Sequence, residues 1–199
     1  MATDISRRGF LAGAATAAVL APRPAFALTE GRARGLVDSL VEEINAVISS
    51  GRSERQMYPE FERIFRRYAD VPTIAAYALG VDRRRASEAQ MRAFTEAFTG
   101  YISRKYGKRF REFSGGRLEV ETVSRVKNYY QVRTTAYLPG QSPFIVDFHV
   151  SDRSGRDLFF NMFIEGVNML LTEREEIGAM LDRRGGDIDR LIAELRGAG

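Results

Sequence analysis

Few residues in this chain can do chemistry. The 199 residues include no Cys, no Trp and a single His, His149. Without Cys there is no disulfide, no thiol nucleophile and no thiolate ligand. A zinc site needs several His or carboxylate ligands, so one His argues against a metal centre. The one local pair with catalytic spacing is Asp147 and His149. Two apart on a strand, they share a face, and an Asp beside a His can position a general base. The commoner arrangement is that this face is solvated, opposite Phe144, Val146 and Phe148. Glu165, in Glu165-Gly166-Val167, fits a cavity acid, but also a turn cap or an Arg partner, and the structural role is the more frequent one. Arg83-Arg84-Arg85 suits phosphate or an acidic partner, or a solvated loop before a helix. No G-x-S-x-G, P-loop or G-x-G-x-x-G occurs. No catalytic set, metal or cofactor is expected.

Charge excludes a further class. The formal net charge is +4, and the first 27 residues hold three Arg against one Asp, leaving +2 for a chain that begins at Leu28. The Arg are scattered rather than collected into a basic block with interleaved aromatics, so nucleic acid is not an expected partner.

The N-terminus reads as an address. Ser6-Arg7-Arg8-Gly9-Phe10-Leu11 matches the twin-arginine export signature. A mild apolar run to Ala21 follows, too short to span a bilayer. Ala25-Phe26-Ala27 supplies the small residues of an A-x-A cleavage site. Residues 1–27 are read as a twin-arginine signal peptide and 28–199 as one domain. A chain without Cys folds fully in a reducing cytoplasm, in keeping with a route that carries folded proteins.

The elements that would position any site follow from periodicity. Leu36, Val37, Leu40, Val41, Ile44, Val47 and Ile48 predict an amphipathic helix over 31–50. Ser53 opens a second helix with Met57, Phe61, Ile64, Phe65 and Tyr68 on one face. Pro72 starts a short third helix ending at Leu79-Gly80. Ser87 and Gln90 form a capping box for the longest helix, to about Phe113, with the stripe Met91, Phe94, Phe98, Tyr101, Ile102, Tyr106, Phe110 and Phe113. After Gly115-Gly116 the period becomes two. Four strands are predicted, with inner faces including Leu118 and Val120; Tyr130, Val132, Thr134, Ala136 and Leu138; Phe144, Val146, Phe148 and Val150; and Leu158, Phe160, Met162 and Ile164. Thr172–Glu175 reads as a capping box for a helix to about Asp182, and Asp187 begins the last one. Helices, a four-stranded antiparallel sheet, then helices make an α+β domain with helices packed on one face. Thirteen Phe and eight Tyr fit either a solid core or an apolar cavity.

Several of these segments together resemble the MlaC family, also called the toluene-tolerance family of periplasmic phospholipid-binding proteins. The resemblance runs through Phe61, Ile64, Tyr68-Ala69-Asp70, Ile74-Ala75, Leu79-Gly80, Ser87, Gln90, Phe94, Ala97-Phe98 and Tyr106. It continues in Ile164-Glu165-Gly166-Val167-Asn168-Met169 and in the tail from Leu181 to Leu195 with Gly185-Gly186 and Leu191. Leu158, Asn161 and Asn168 depart from residues frequent in the family. The resemblance implies a highly curved sheet in a nuclear-transport-factor-like architecture enclosing a lipid cavity. It implies a periplasmic carrier of phospholipid, or of a hopanoid-type lipid in one branch. Such a carrier shuttles between an outer-membrane lipoprotein complex and an inner-membrane ABC transporter with an MCE-domain protein, and so serves outer-membrane lipid asymmetry.

On that basis acyl chains are expected against Phe94, Phe98, Tyr101, Ile102 and Tyr106 of the long helix. The facing sheet supplies Val132, Phe144, Val146, Phe148, Phe160 and Met162, with Ile74, Tyr77 and Ala78 flanking the mouth. Two alternatives stand beside this: a small isomerase-like enzyme acting on an apolar substrate, which needs an acid or base such as Asp147 pointing inward, and a periplasmic adaptor without lipid.

Overall fold

A computed structural model describes residues 27–109 and 115–199. The expected export segment, Ala27 excepted, lies outside the described residues, as do Phe110 and Phe113 of the expected long helix. The chain runs through α1 (Glu30–Ile48), α2 (Glu54–Tyr68), α3 (Val71–Ala78), a 3-10 turn (Gly80–Arg84) and α4 (Glu88–Arg109). Strands β1 (Arg117–Val126), β2 (Tyr129–Tyr137), β3 (Phe144–Ser151), β4 (Leu158–Ile164) and β5 (Val167–Asn168) follow, then α5 (Met169–Arg183) and α6 (Ile188–Gly197). The strands form one antiparallel sheet in sequence order, so the class is α+β.

The sheet has five strands where four were expected. Glu165 and Gly166 both adopt positive φ, 48° and 79°, the backbone of a two-residue hairpin turn. The chain therefore doubles back on β4 for two residues before entering a helix. That helix also starts earlier than Thr172 suggests. Asn168 is its N-cap, its side chain accepting from Leu171 N–H at 3.1 Å, while the Thr172 hydroxyl donates back to Asn168 O. Other signals held: Ser87 and Gln90 exchange reciprocal bonds of 3.0 and 3.1 Å at the start of α4, and Asp187 caps α6.

α4 is the central helix, packing on α2, α3 and α6, while α1 lies across β1 to β3 and α5 against β4. Hydroxyls on α4 satisfy themselves: half-buried Thr95 and buried Thr99 and Ser103 each donate to the carbonyl four residues back, at 2.8, 2.6 and 2.8 Å. Along the open edge of β1, the Asn45 side chain of α1 accepts from Leu118 N–H (3.1 Å) and donates to Leu118 O (3.2 Å). The Arg34 guanidinium donates to the carbonyls of Val120 and Glu121. Leu28 N–H is tied to Asp152 Oδ2 at 2.8 Å.

Register sets the inner face. Val132 lies opposite Phe148, Thr134 opposite Val146, and Phe148 opposite Met162. A bulge then intervenes, with His149 opposite Asn161 but Val150 opposite Phe159. The extra residue moves Phe159, not Phe160, to the inner face. Phe159 meets Phe148 edge-on at 5.6 Å, whereas the Phe160 ring meets Tyr129 at 5.4 Å and His149 at 5.9 Å on the outer side. No helix among the described residues is long and apolar enough to cross a membrane.

Candidate functional site

Between the inner sheet face and the helices lies a cavity of about 350 Å³. Helices supply Leu40 and Ile44 of α1, Phe61, Ile64 and Phe65 of α2, Ile74 of α3, Phe98, Ile102, Ser103 and Tyr106 of α4, and Met169, Leu170 and Glu173 of α5. The sheet side supplies Leu118, Leu138, Phe144, Val146, Phe148, Phe159, Met162 and Ile164, with Gln141 at an exposed turn. A wall so rich in Phe, Leu and Ile solvates hydrocarbon far better than a polar solute.

Of the residues expected around acyl chains, Ile74, Phe98, Ile102, Tyr106, Phe144, Val146, Phe148 and Met162 are brought together in this wall. Phe160 borders the cavity, but the bulge carries its ring to the outer face. Phe94, Val132 and Ala78 are buried in the continuous core and are absent from the cavity wall. Tyr77 is absent from the wall and is half-buried under the Arg174 guanidinium, 5.1 Å from its ring centre. Tyr101 is buried, and its hydroxyl donates to Glu176 in a polar cluster beside the wall. Sequence reasoning missed the α1 and α2 contributions, because an amphipathic stripe looks the same whether it meets a solid core or a hollow one. It also missed Phe159 and Glu173.

The polar part of the wall is built on α4 and α5. Lys105 Nζ lies 2.8 Å from Glu173 Oε1, donates also to Glu176, and sits over the rings of Tyr101 and Tyr106 at 5.5 and 5.6 Å. The Tyr106 hydroxyl donates to the same Glu173 oxygen. Burial alone would raise the Glu176 carboxyl pKa, but the hydrogen bonds from Lys105 and Tyr101 outweigh it and hold the group below its ordinary value. Burial, reinforced by its bond to Glu176, pushes the Tyr101 phenol up. Asn161 ties the wall to α5: its Oδ1 accepts from Leu170 N–H at 3.3 Å and its Nδ2 donates to Asn168 at 3.1 Å.

The Asp147–His149 pair is on the outer face. Asp147 holds Arg133 through two bonds of 2.9 and 3.1 Å. His149 is 9% exposed, so this face is not simply solvated as expected. Its ring lies between Tyr129 and Phe163, at 4.6 and 4.7 Å. Burial lowers its pKa, and the nearby Asp147 opposes that only in part. Neither residue belongs to the cavity wall. Glu165 is exposed, and its carboxylate accepts from Ile145 N–H, fixing the start of β3. Arg83 and Arg84 on the 3-10 turn and Arg85 just after it are exposed, Arg85 bonding Asp82 at 2.7 Å.

The same fold occurs in a phospholipid-binding protein from Ralstonia solanacearum solved in complex with a phospholipid. The TM-score is 0.69 at 18% identity, covering 82% of this chain and 98% of that one. At that identity the likeness is one of fold. A family model described as MlaC protein matches residues 36–197, from α1 through the whole sheet to the end of α6. The chain belongs to the MlaC family.

Proposed function

We propose that this protein is a periplasmic lipid carrier. It holds the acyl chains of a phospholipid in the cavity and moves them between an outer-membrane lipoprotein complex and an inner-membrane ABC transporter presenting an MCE-domain protein. Residues 1–27 direct export by the twin-arginine route, and residues 28–199 carry the lipid. The observation that carries the reading is an apolar cavity of about 350 Å³ in a member of the MlaC family. The phospholipid bound to the Ralstonia solanacearum protein of like fold supports it.

The energetics explain why a carrier is needed. Burying a methylene is worth about 0.8 kcal/mol, so two long chains of roughly 25–30 methylenes would cost on the order of 20 kcal/mol to leave in water. A bilayer shelters them equally, so extraction into the protein is near neutral and relies on partners to lower its barrier. No bond is made or broken. At about 30 Å³ per group the size of a water or a methylene, the cavity takes about 12 methylenes, most of one chain. Seating a second requires the wall to part. Ile74, Phe98, Ile102, Tyr106, Phe144, Val146, Phe148 and Met162 contact the chains in this reading.

The test is mass spectrometry of lipid extracted from protein purified from its native compartment. The expected result is phospholipid near one molecule per chain. A hopanoid-type lipid instead would revise the cargo and keep the carrier. Absence of any amphiphile from correctly folded protein would refute it.

A further inference from the structure

We propose that Glu173 selects the bound lipid by accepting a hydrogen bond from a hydroxyl or ammonium group on it, so that the cavity prefers amphiphiles bearing such a donor to those ending in a carboxylate. This rests on the lipid-carrier reading and specifies the chemistry of the cargo.

Glu173 belongs to the cavity wall and is only 4% exposed. Its Oε1 receives Lys105 Nζ at 2.8 Å and the Tyr106 hydroxyl. Its Oε2 is buried and accepts no hydrogen bond among the described residues. The neighbouring polar groups of the buried wall are already engaged. Ser103 donates to Thr99 O at 2.8 Å. Asn161 Oδ1 accepts from Met162 and Leu170 N–H, and its Nδ2 donates to Asn168.

A buried carboxylate oxygen without a donor is costly, and the wall of a hydrocarbon cavity has no structural need of one. A ligand donor recovers that cost. The sign of the charge narrows the ligand further. Lys105 is shared between Glu173 and Glu176 and Arg183 acts on Glu176 as well, so the excess of negative charge is local to the unpartnered Oε2 of Glu173. In a water-poor wall that excess attracts an O–H or N–H group and repels an anionic one.

Three probes with one hydrocarbon chain test this: oleyl alcohol, a donor; methyl oleate, neutral without a donor; and oleate, an anion. Each is titrated into delipidated wild-type protein and into Glu173→Gln, with binding read by native mass spectrometry and folding by thermal melting. Wild type is expected to bind the alcohol about tenfold tighter than the ester, the order of one buried hydrogen bond, and oleate most weakly. Glu173→Gln is expected to lose the alcohol's advantage and to gain oleate binding. Should Glu173→Gln fail to fold, the wild-type ranking alone decides. Wild type binding the ester or oleate as tightly as the alcohol overturns the inference, as does a folded Glu173→Gln that keeps the wild-type ranking. In both cases the carrier reading survives. Binding of none of the three probes removes the carrier reading itself.

Discussion

Val146 offers the sharpest way to separate a hollow wall from a solid one. It sits on the inner face between Thr134 of β2 and Ile164 of β4, is 5% exposed, and lines the cavity. Val146→Phe pushes a ring into that space, adding about four carbons of hydrocarbon and displacing about as many methylenes of a bound chain. At about 0.8 kcal/mol each, the chain loses about 3 kcal/mol, or about a hundredfold in retention. The fold itself gains contacts, because the ring enters space rather than neighbouring atoms. The variant should therefore purify nearly free of lipid while melting at or above the wild-type temperature. If the ring instead met a packed interior, overpacking would cost about 1–3 kcal/mol and lower the melting temperature by about 2–4 °C for each of them. Lipid content by mass spectrometry and melting by calorimetry are read on one preparation. A variant that melts like wild type and keeps a full lipid load refutes the placement of the chain against Val146. One that melts far lower refutes the open space.

Two other perturbations probe the frame around the cavity. Burial keeps His149 neutral below its ordinary titration range, so the unfolded chain takes up a proton from about pH 6.5 downward while the folded chain resists. The stability tied to this group is present above that pH and is lost as pH falls through it. Wild type should lose melting temperature between pH 7.5 and 5 faster than His149→Phe, and parallel slopes would show that the ring does not titrate on unfolding. If export cleaves the chain after Ala27, the new α-ammonium of Leu28 falls where its N–H now meets Asp152 at 2.8 Å. Asp152→Asn should then lower the melting temperature of the cleaved protein by about 2–4 °C, the order of 1 kcal/mol. An equal effect in a form retaining Ala27 and the residues before it would argue that charge plays no part.

The outline of the fold was legible because its signals are local. Ser87 and Gln90 cap a helix by their spacing alone, and Val132, Thr134, Val146 and Phe148 alternate as a half-buried sheet must. What escaped was set by tertiary structure. Two adjacent Phe at 159 and 160 satisfy either phase of a period-two pattern, and only the bulge opposite His149 decides between them. Thr172 makes a plausible helix start in sequence, but the left-handed Glu165-Gly166 turn delivers Asn168 to that role first. Phe94 and Phe98 are equivalent in a helical stripe, yet only Phe98 reaches the cavity wall. In sequence Glu173 is only one position of the Thr172–Glu175 capping box, because nothing in its sequence neighbours shows that Lys105 and Tyr106, 68 and 67 residues earlier, will meet it.

The Asn45 amide, matching both polar atoms of Leu118, acts as a one-residue counterfeit of a neighbouring strand. With Arg34 capping the next two carbonyls, helix α1 occupies the first half of an edge that would otherwise template a second molecule. The opposite border ends in the two residues of β5, too few to recruit a stranger. Over those stretches the sheet offers little unpaired backbone on which a second copy could build.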